Sequence, residues 1–189
     1  MRRREFITLL GGAAVAWPLV AHAQQTERMR RIGFISLVPE NDPEARARIR
    51  AFQQGLAALD WVEGRNIRIV YRFAAAGDAA GIHSSVAELL KSPPDVIVAN
   101  GTPVVAALKQ ATATIPIVFA IINDPVGQGF ITSLARPGGN ITGFTLVDFE
   151  LVGKWLEMLK LVAPAVTRVA LMFNPDTVPY DRFLSSFEA

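Results

Sequence analysis

The residues with the clearest chemical potential are Asn100-Gly101-Thr102-Pro103. Thr102 is placed to N-cap a helix whose first residue is Pro103. Gly101 lets the backbone approach closely, and the N–H groups of Val104 and Val105 are expected to point outward. Such a helix start favours an anion such as a carboxylate. A threonine that caps its own helix and binds nothing gives the same local pattern. Asp124 follows an apolar run and precedes Pro125. That position suits it to receive an ammonium group or to serve as a turn aspartate. Ser36, at the end of an earlier apolar run, carries the same two readings.

Catalytic chemistry has less to work with. The chain has no Cys and two His, His22 and His83. Disulfides, thiolate catalysis and Cys-based metal sites are therefore excluded, and an oxidising compartment is compatible with the composition. There is no Ser-His-Asp set, zinc-ligand cluster or Walker loop. Gly127-Gln128-Gly129 and Gly138-Gly139 fall short of a dinucleotide fingerprint, and nothing fixes the separation of Asp124 from Asp148. The expectation is a binding protein and not an enzyme, with no cofactor and no metal site.

The elements that must position these residues alternate regularly. Arg31 to Leu37 reads as a first strand. Asp42 then offers an N-cap, Pro43 a first helical position and Glu44 a charge suited to the first turn. Ile49, Phe52, Leu56 and Leu59 recur at helical spacing. Asn66 to Phe73 alternates apolar and polar residues, the pattern of an edge or half-covered strand. A helix over Asp78 to Lys91, a strand over Asp95 to Ala99, a helix over Pro103 to Thr112 and a strand over Ile117 to Ile122 follow. Gly127 to Ala135 is expected as a short helix and Ile141 to Thr145 as a fifth strand. Repeated units of this length imply an α/β fold, an open parallel sheet flanked by helices with right-handed crossovers. Ligands of such sheets sit beyond the carboxyl ends of the strands. That rule selects Ser36 to Asn41, Asn100 to Pro103, Asn123 to Val126 and Phe144 to Asp148. Further on, Asp148 to Val162 reads as an amphipathic helix and Arg168 to Phe173 as a new strand ending at Asn174-Pro175. One strand and part of a helix cannot bury their own apolar faces, so residues 148–189 read as the start of a second, truncated α/β lobe.

The first 23 residues have the layout of a signal peptide. Arg2, Arg3 and Arg4 precede an apolar stretch from Phe6 to Val20, and Ala21-His22-Ala23 offers small residues for cleavage. Arg3-Arg4-Glu5-Phe6-Ile7 matches the twin-arginine pattern. The apolar stretch falls short of the roughly 20 residues of a membrane span, and no later segment is apolar for long enough. Removing residues 1–23 takes three Arg and one Glu, so the formal charge falls from +2 to zero. The basic balance thus belongs to the leader, and no nucleic-acid or anionic-membrane surface follows from it. The expected division is 1–23 signal peptide, 24–147 first ligand-binding lobe and 148–189 start of the second lobe.

Two runs carry a family resemblance: Phe52 to Arg72 (FQQGLAALDWVEGRNIRIVYR), and Pro94 to Thr145 with its NGTP, DPVGQG and ARPGGNITGFT segments. They closely resemble the ABC transporter substrate-binding proteins of the tryptophan/tyrosine type, and the likeness extends over essentially the whole chain from Arg31. It implies a periplasmic binding protein type I fold, in which two α/β lobes close on a small amino-acid-like solute and present it to an ABC permease in the inner membrane. It implies periplasmic residence, no nucleic-acid partner and no stable membrane insertion after signal cleavage. By the same resemblance the first-lobe pocket is lined by Ser36, Asn100, Gly101, Thr102 and Asp124, with Asn174 opening the second wall. Thr102 then gains a substrate carboxylate and Asp124 an amino group. Asn123 stands where relatives usually carry a small residue, and Asp60 replaces a usual Gly at a helix end. The alternative on the same fold is an extracytoplasmic ligand-sensing domain of a receptor, which needs a membrane span and a signalling domain downstream. With nearly all of a second lobe missing, weak or no solute binding is expected of this polypeptide alone.

Overall fold

The computed structural model describes residues 28–145, 150–170 and 172. Strands β1 (Arg30–Ser36), β2 (Ile67–Phe73), β3 (Val96–Asn100), β4 (Ile117–Ile122) and β5 (Ile141–Thr145) form one sheet. Helices α1 (Pro43–Ala57), α2 (Ala79–Leu90) and α3 (Thr102–Ala111) connect the first four strands, and α4 (Glu150–Val162) follows β5. The strand order is β2-β1-β3-β4-β5, with every pairing parallel. The α/β class and open parallel sheet expected from the sequence are therefore present.

Local chemistry explains where the elements start. The Asp42 carboxylate accepts from Glu44 N–H at 2.7 Å and Ala45 N–H at 3.3 Å, opening α1 on Pro43. Asp78 caps α2 by accepting from Gly81 N–H at 2.9 Å. Asp60 lies just past α1 at φ 64°, and the next amide, Trp61 N–H, reaches back to the Leu56 carbonyl at 2.9 Å. This is the left-handed exit at which helices favour glycine, and it explains the departure noted at this position.

Strand periodicity sorts the apolar residues onto two faces. Ile35, Ile97, Ala99, Ile117 and Phe119 face α2 and α3, where they meet Val86, Leu89, Val104, Val105 and Leu108 in the larger core. Ile32, Phe34, Ile67 and Ile69 face the other way, against Ile49, Phe52 and Leu56 of α1. Tyr71 joins this second core, its ring centroid 5.6 Å from that of Phe34. Burial, aided by the nearby Glu63 carboxylate and opposed by a hydrogen bond from Gln53, raises the Tyr71 phenol above its ordinary pKa. β2 lies at the sheet edge, as its alternation implied.

Two expected elements differ. Residues 127–135 form turns followed by bends and irregular chain, not a helix. Asp124 Oδ1 accepts from Gly127 N–H at 2.8 Å, and both Phe130 and Ile131 donate to the Pro125 carbonyl. These bonds occupy the groups a helix would need, and Gly129 at φ 69° turns the chain further. Ile131, 5% exposed, fastens the segment to the core. Of the strand expected over 168–173, residues 168–170 carry no strand pairing, and Val169 is half-exposed. A strand exists through its neighbour's backbone, and no described residue pairs with this one. The leader at 1–23, the division at 147/148 and Asn174 fall outside the described residues.

Candidate functional site

The strand order reverses between β1 and β3, which places a crevice beyond their carboxyl ends. Register brings two of the candidate residues, Ser36 and Asn100, into one row there, while Gly101, Thr102 and Asp124 lie just beyond the strand ends. Ser36 pairs with Asn100, Asn100 with Ala120, and Ala120 with Phe144. Residues paired across a parallel sheet project on the same face. The row therefore joins two polar residues, one small residue and an aromatic that is 76% exposed. Phe144 fell within a segment selected from the sequence but was not singled out, because its exposure depends on its neighbours.

Ser36 is 4% exposed, and its Oγ accepts from Val38 N–H at 3.1 Å. The hydroxyl thus shapes the exit from β1 while keeping its own proton to donate. At the next turn the helix starts one residue earlier than expected. Gly101, at φ 103°, is the N-cap of α3, Thr102 is its first residue, and no side chain caps it. A Cβ at Gly101 would stand 2.5 Å from Leu37 Cδ1, so only glycine fits this conformation and this contact. The N–H groups of Val104 and Val105 do not point outward. Both donate to the Gly101 carbonyl, at 3.1 and 3.2 Å. Pro103 has no N–H, so the amides of Gly101 and Thr102 are the ones with no carbonyl in the helix to bond.

Asp124 sits at φ 45°. Its Oδ1 takes the Gly127 amide, and its carbonyl accepts from Gln128 N–H at 3.1 Å. The turn-aspartate reading of this residue is realised. Just before it, β4 breaks its register with β5. Ala120 pairs with Phe144 and Ile122 with Thr145, so Ile121 is an extra residue. Ile121 adopts φ 57°, a conformation that strains a β-branched residue by about 1–2 kcal/mol. The bulge changes the strand's parity: Ile117, Phe119 and then Ile122 enter the same core. Asn123 is re-aimed as a result. Its carbonyl accepts from Gln128 Nε2 at 2.6 Å, while its Oδ1 is buried with no donor among the described residues. Opposite the bulge, Gly143 allows close approach, since a Cβ there would lie 2.1 Å from the Phe119 carbonyl oxygen. Thr145 Oγ1 donates to the Ile122 carbonyl at 3.0 Å.

The paired row lies at the carboxyl ends of the strands. Two hollows of the described lobe lie elsewhere. One, of about 550 Å³, runs along Lys109, Thr112 and Pro137–Ile141, and one of about 210 Å³ lies between α1 and β2 beside Trp61. Neither includes a residue of the paired row. Among the described residues no cluster of three or more His, Cys, Asp or Glu is arranged to hold a metal, and no helix is long and apolar enough to cross a membrane.

Comparison with known proteins completes the picture. The model of the ABC transporter substrate binding protein family matches residues 35–179. The chain belongs to this family. A tyrosine-binding protein of Clostridioides difficile strain R20291 is 29% identical over 153 residues, covering 81% of this chain and 43% of the relative. Among solved structures, a conserved domain protein of Vibrio cholerae superposes with a TM-score of 0.73 at 28% identity, over 85% of this chain and 53% of that one. A ligand-free, open substrate-binding protein with adhesive properties from Clostridium difficile gives 0.65 at 29%, over 85% and 52%. At 23% identity, the ABC domain from Streptococcus pneumoniae solved with L-Trp shares the fold, with a TM-score of 0.70 over 85% and 54%. The chain thus spans about half the length of these substrate-binding relatives.

Proposed function

We propose that this chain supplies the first wall of an extracytoplasmic solute trap, the binding component of an ABC importer for an amino-acid-like solute. The observation that carries this reading is the family match across 35–179, coincident with a polar rim at the strand-order reversal. A tyrosine-binding relative and a fold relative solved with L-Trp support an amino acid as solute class. In this reading Ser36, Asn100, Gly101, Thr102 and Asp124 line the first wall. The unbonded amides at the start of α3 face the solute carboxylate. A second α/β lobe, beginning at 148 and including Asn174, closes on the solute by hinge bending. The relatives' double length supports that arrangement. Residues 1–23 act as the export signal, of twin-arginine type, and the loaded protein docks on a permease in the inner membrane.

Calorimetric titration of the complete two-lobed protein with the twenty L-amino acids tests this. Saturable one-to-one binding of an aromatic or branched-chain member is expected. Residues 24–147 alone are expected to bind weakly, because solute affinity depends on contacts made only in the closed state. Absence of binding to every amino acid overturns the solute class. A submillimolar affinity in the lobe alone overturns the two-walled trap.

A further inference from the structure

The larger hollow, of about 550 Å³, falls in the size range of small-molecule sites. Its walls come from the end of α3, the turns after β4 and the start of β5, and none belongs to the paired row. Two segments that carry the family resemblance, DPVGQG and ARPGGNITGFT, meet here. Among the described residues Lys109 is the one charged side chain on these walls, and no carboxylate faces it there. An ammonium has three N–H groups. One donates to the Gly129 carbonyl at 2.5 Å, which tethers the head group at the hollow and leaves two to donate. The Gly138 and Gly139 amides also meet no acceptor among the described residues. The polar capacity left open is therefore mainly that of donors. Phe130, half-buried, and Val126, half-exposed, add an apolar side.

We propose that this hollow is a second ligand site, for a small monocarboxylic acid with an apolar body, separate from the solute site at the rim. One cation without an opposing carboxylate selects a ligand of single negative charge. Lys109 and the Gly138 and Gly139 amides are the donors for its carboxylate, and charge-assisted bonds of this kind are the stronger class. Phe130 and Val126 take the apolar body out of water. A Cβ built at Gly139 meets nothing within 4 Å, so a side chain at that position would occupy open space beside the hollow and displace no protein atom. The site does not depend on the importer reading, since it shares no residue with the rim.

The test uses the full-length protein with 3-phenylpropanoate and hexanoate, each beside its uncharged primary amide. Followed by the amide resonances of Gly138 and Gly139, the acids should bind saturably and the amides about tenfold or more weaker. Lys109→Gln should weaken the acids by about tenfold, whereas Lys109→Arg should stay within about threefold of the wild type. Gly139→Leu should abolish acid binding and leave the thermal midpoint within about 2 °C. Lys109 is exposed, so Lys109→Gln folds, and the charge comparison stands whatever Gly139→Leu does to stability. No saturable shift of the two glycine resonances by about 10 mM acid overturns the proposal. So does equal affinity for acid and amide, which removes the anion from the account. Equal losses in Lys109→Gln and Lys109→Arg would reduce the lysine to a fastening of the Gly129 turn and overturn it too. Acid binding unchanged in Gly139→Leu would place the acid elsewhere, with the same consequence.

Discussion

The two ends of this parallel sheet are built by opposite rules. At the amino-terminal edge most polar groups are paired, although Arg31 Nε is buried without a partner among the described residues. Asp95 accepts from Arg31 N–H at 2.8 Å, with Arg30 and Arg28 each 3.5 Å away. Asn140 donates to the carbonyls of Ile115 and Thr112 while its own carbonyl accepts from Ile117 N–H at 2.8 Å. The carboxyl-terminal rim instead gathers Gly101, Ile121 and Asp124 at positive φ, an unpaired Asn123 acceptor and an exposed Phe144. One end fixes where the strands lie and carries its positive-φ residues, Asp60, Gly64 and Gly138, in the loops leading to the strands; the other carries them in a strand end or within two residues of one. Sites selected for binding depart from local optimality in this way, and the rest of the fold sustains the departure.

The sharpest way to break the comparison is Asn140→Ala. It leaves two carbonyls without their side-chain donor, at a cost of about 1–2 kcal/mol. For a chain of this size that lowers the thermal midpoint by roughly 2–8 °C. Solute affinity, measured well below the midpoint, should not change. A loss of affinity without a loss of stability would mean that the amino-terminal edge also serves binding.

Ile121→Gly probes the other end and should move in the opposite direction. The left-handed conformation burdens a β-branched residue by about 1–2 kcal/mol, partly offset by glycine's greater backbone entropy and the loss of a half-buried side chain. A net gain of about 0.5 kcal/mol in solute-free stability is expected by urea titration, together with weaker binding as the bulge loosens. A destabilisation beyond about 1 kcal/mol would show that Ile121 is held for packing and not strained for function.

The same division governs what could be read from the sequence. Strands, caps and the two-faced core were legible because alternation, helical spacing and the Asp42-Pro43 pair are local signals. The likeness of the NGTP and DPVGQG runs located the rim. Phe130, Ile131 and Leu134 mimic helical spacing, and only the tertiary docking of Ile131 and the Asp124 turn decide against a helix. Placing Thr102 as the cap missed by one residue, because the backbone of Gly101 and its contact with Leu37 set the start of α3. IVFAII reads as an unbroken strand, so the bulge at Ile121 is invisible until β5 supplies a register. Asn123 drew notice as the start of a selected segment and as a departure from relatives. Its unpaired oxygen is a property of the surrounding structure, which no residue pattern records.

The smallest expected effect is at Asp95 and concerns pH. The Arg31 amide, and then the Arg28 and Arg30 charges, hold the Asp95 carboxyl below its ordinary pKa, against some opposing burial. A depressed pKa means that the folded state favours the carboxylate. The stabilisation is therefore present above the unfolded value of about 3.9 and is lost as the pH falls through the lower folded value. Asp95→Asn keeps an oxygen for the Arg31 amide and loses only the charge, so a few tenths of a kcal/mol are at stake on this partly exposed surface. Urea denaturation at pH 7 should place the variant slightly below the wild type, and the gap should close as the pH falls through the lowered pKa of the folded carboxyl. A gap that persists in acid would assign the effect to the hydrogen bond's geometry. The amino-terminal edge would then be held by shape alone, and its contrast with the carboxyl rim would lie in backbone conformation and not in charge.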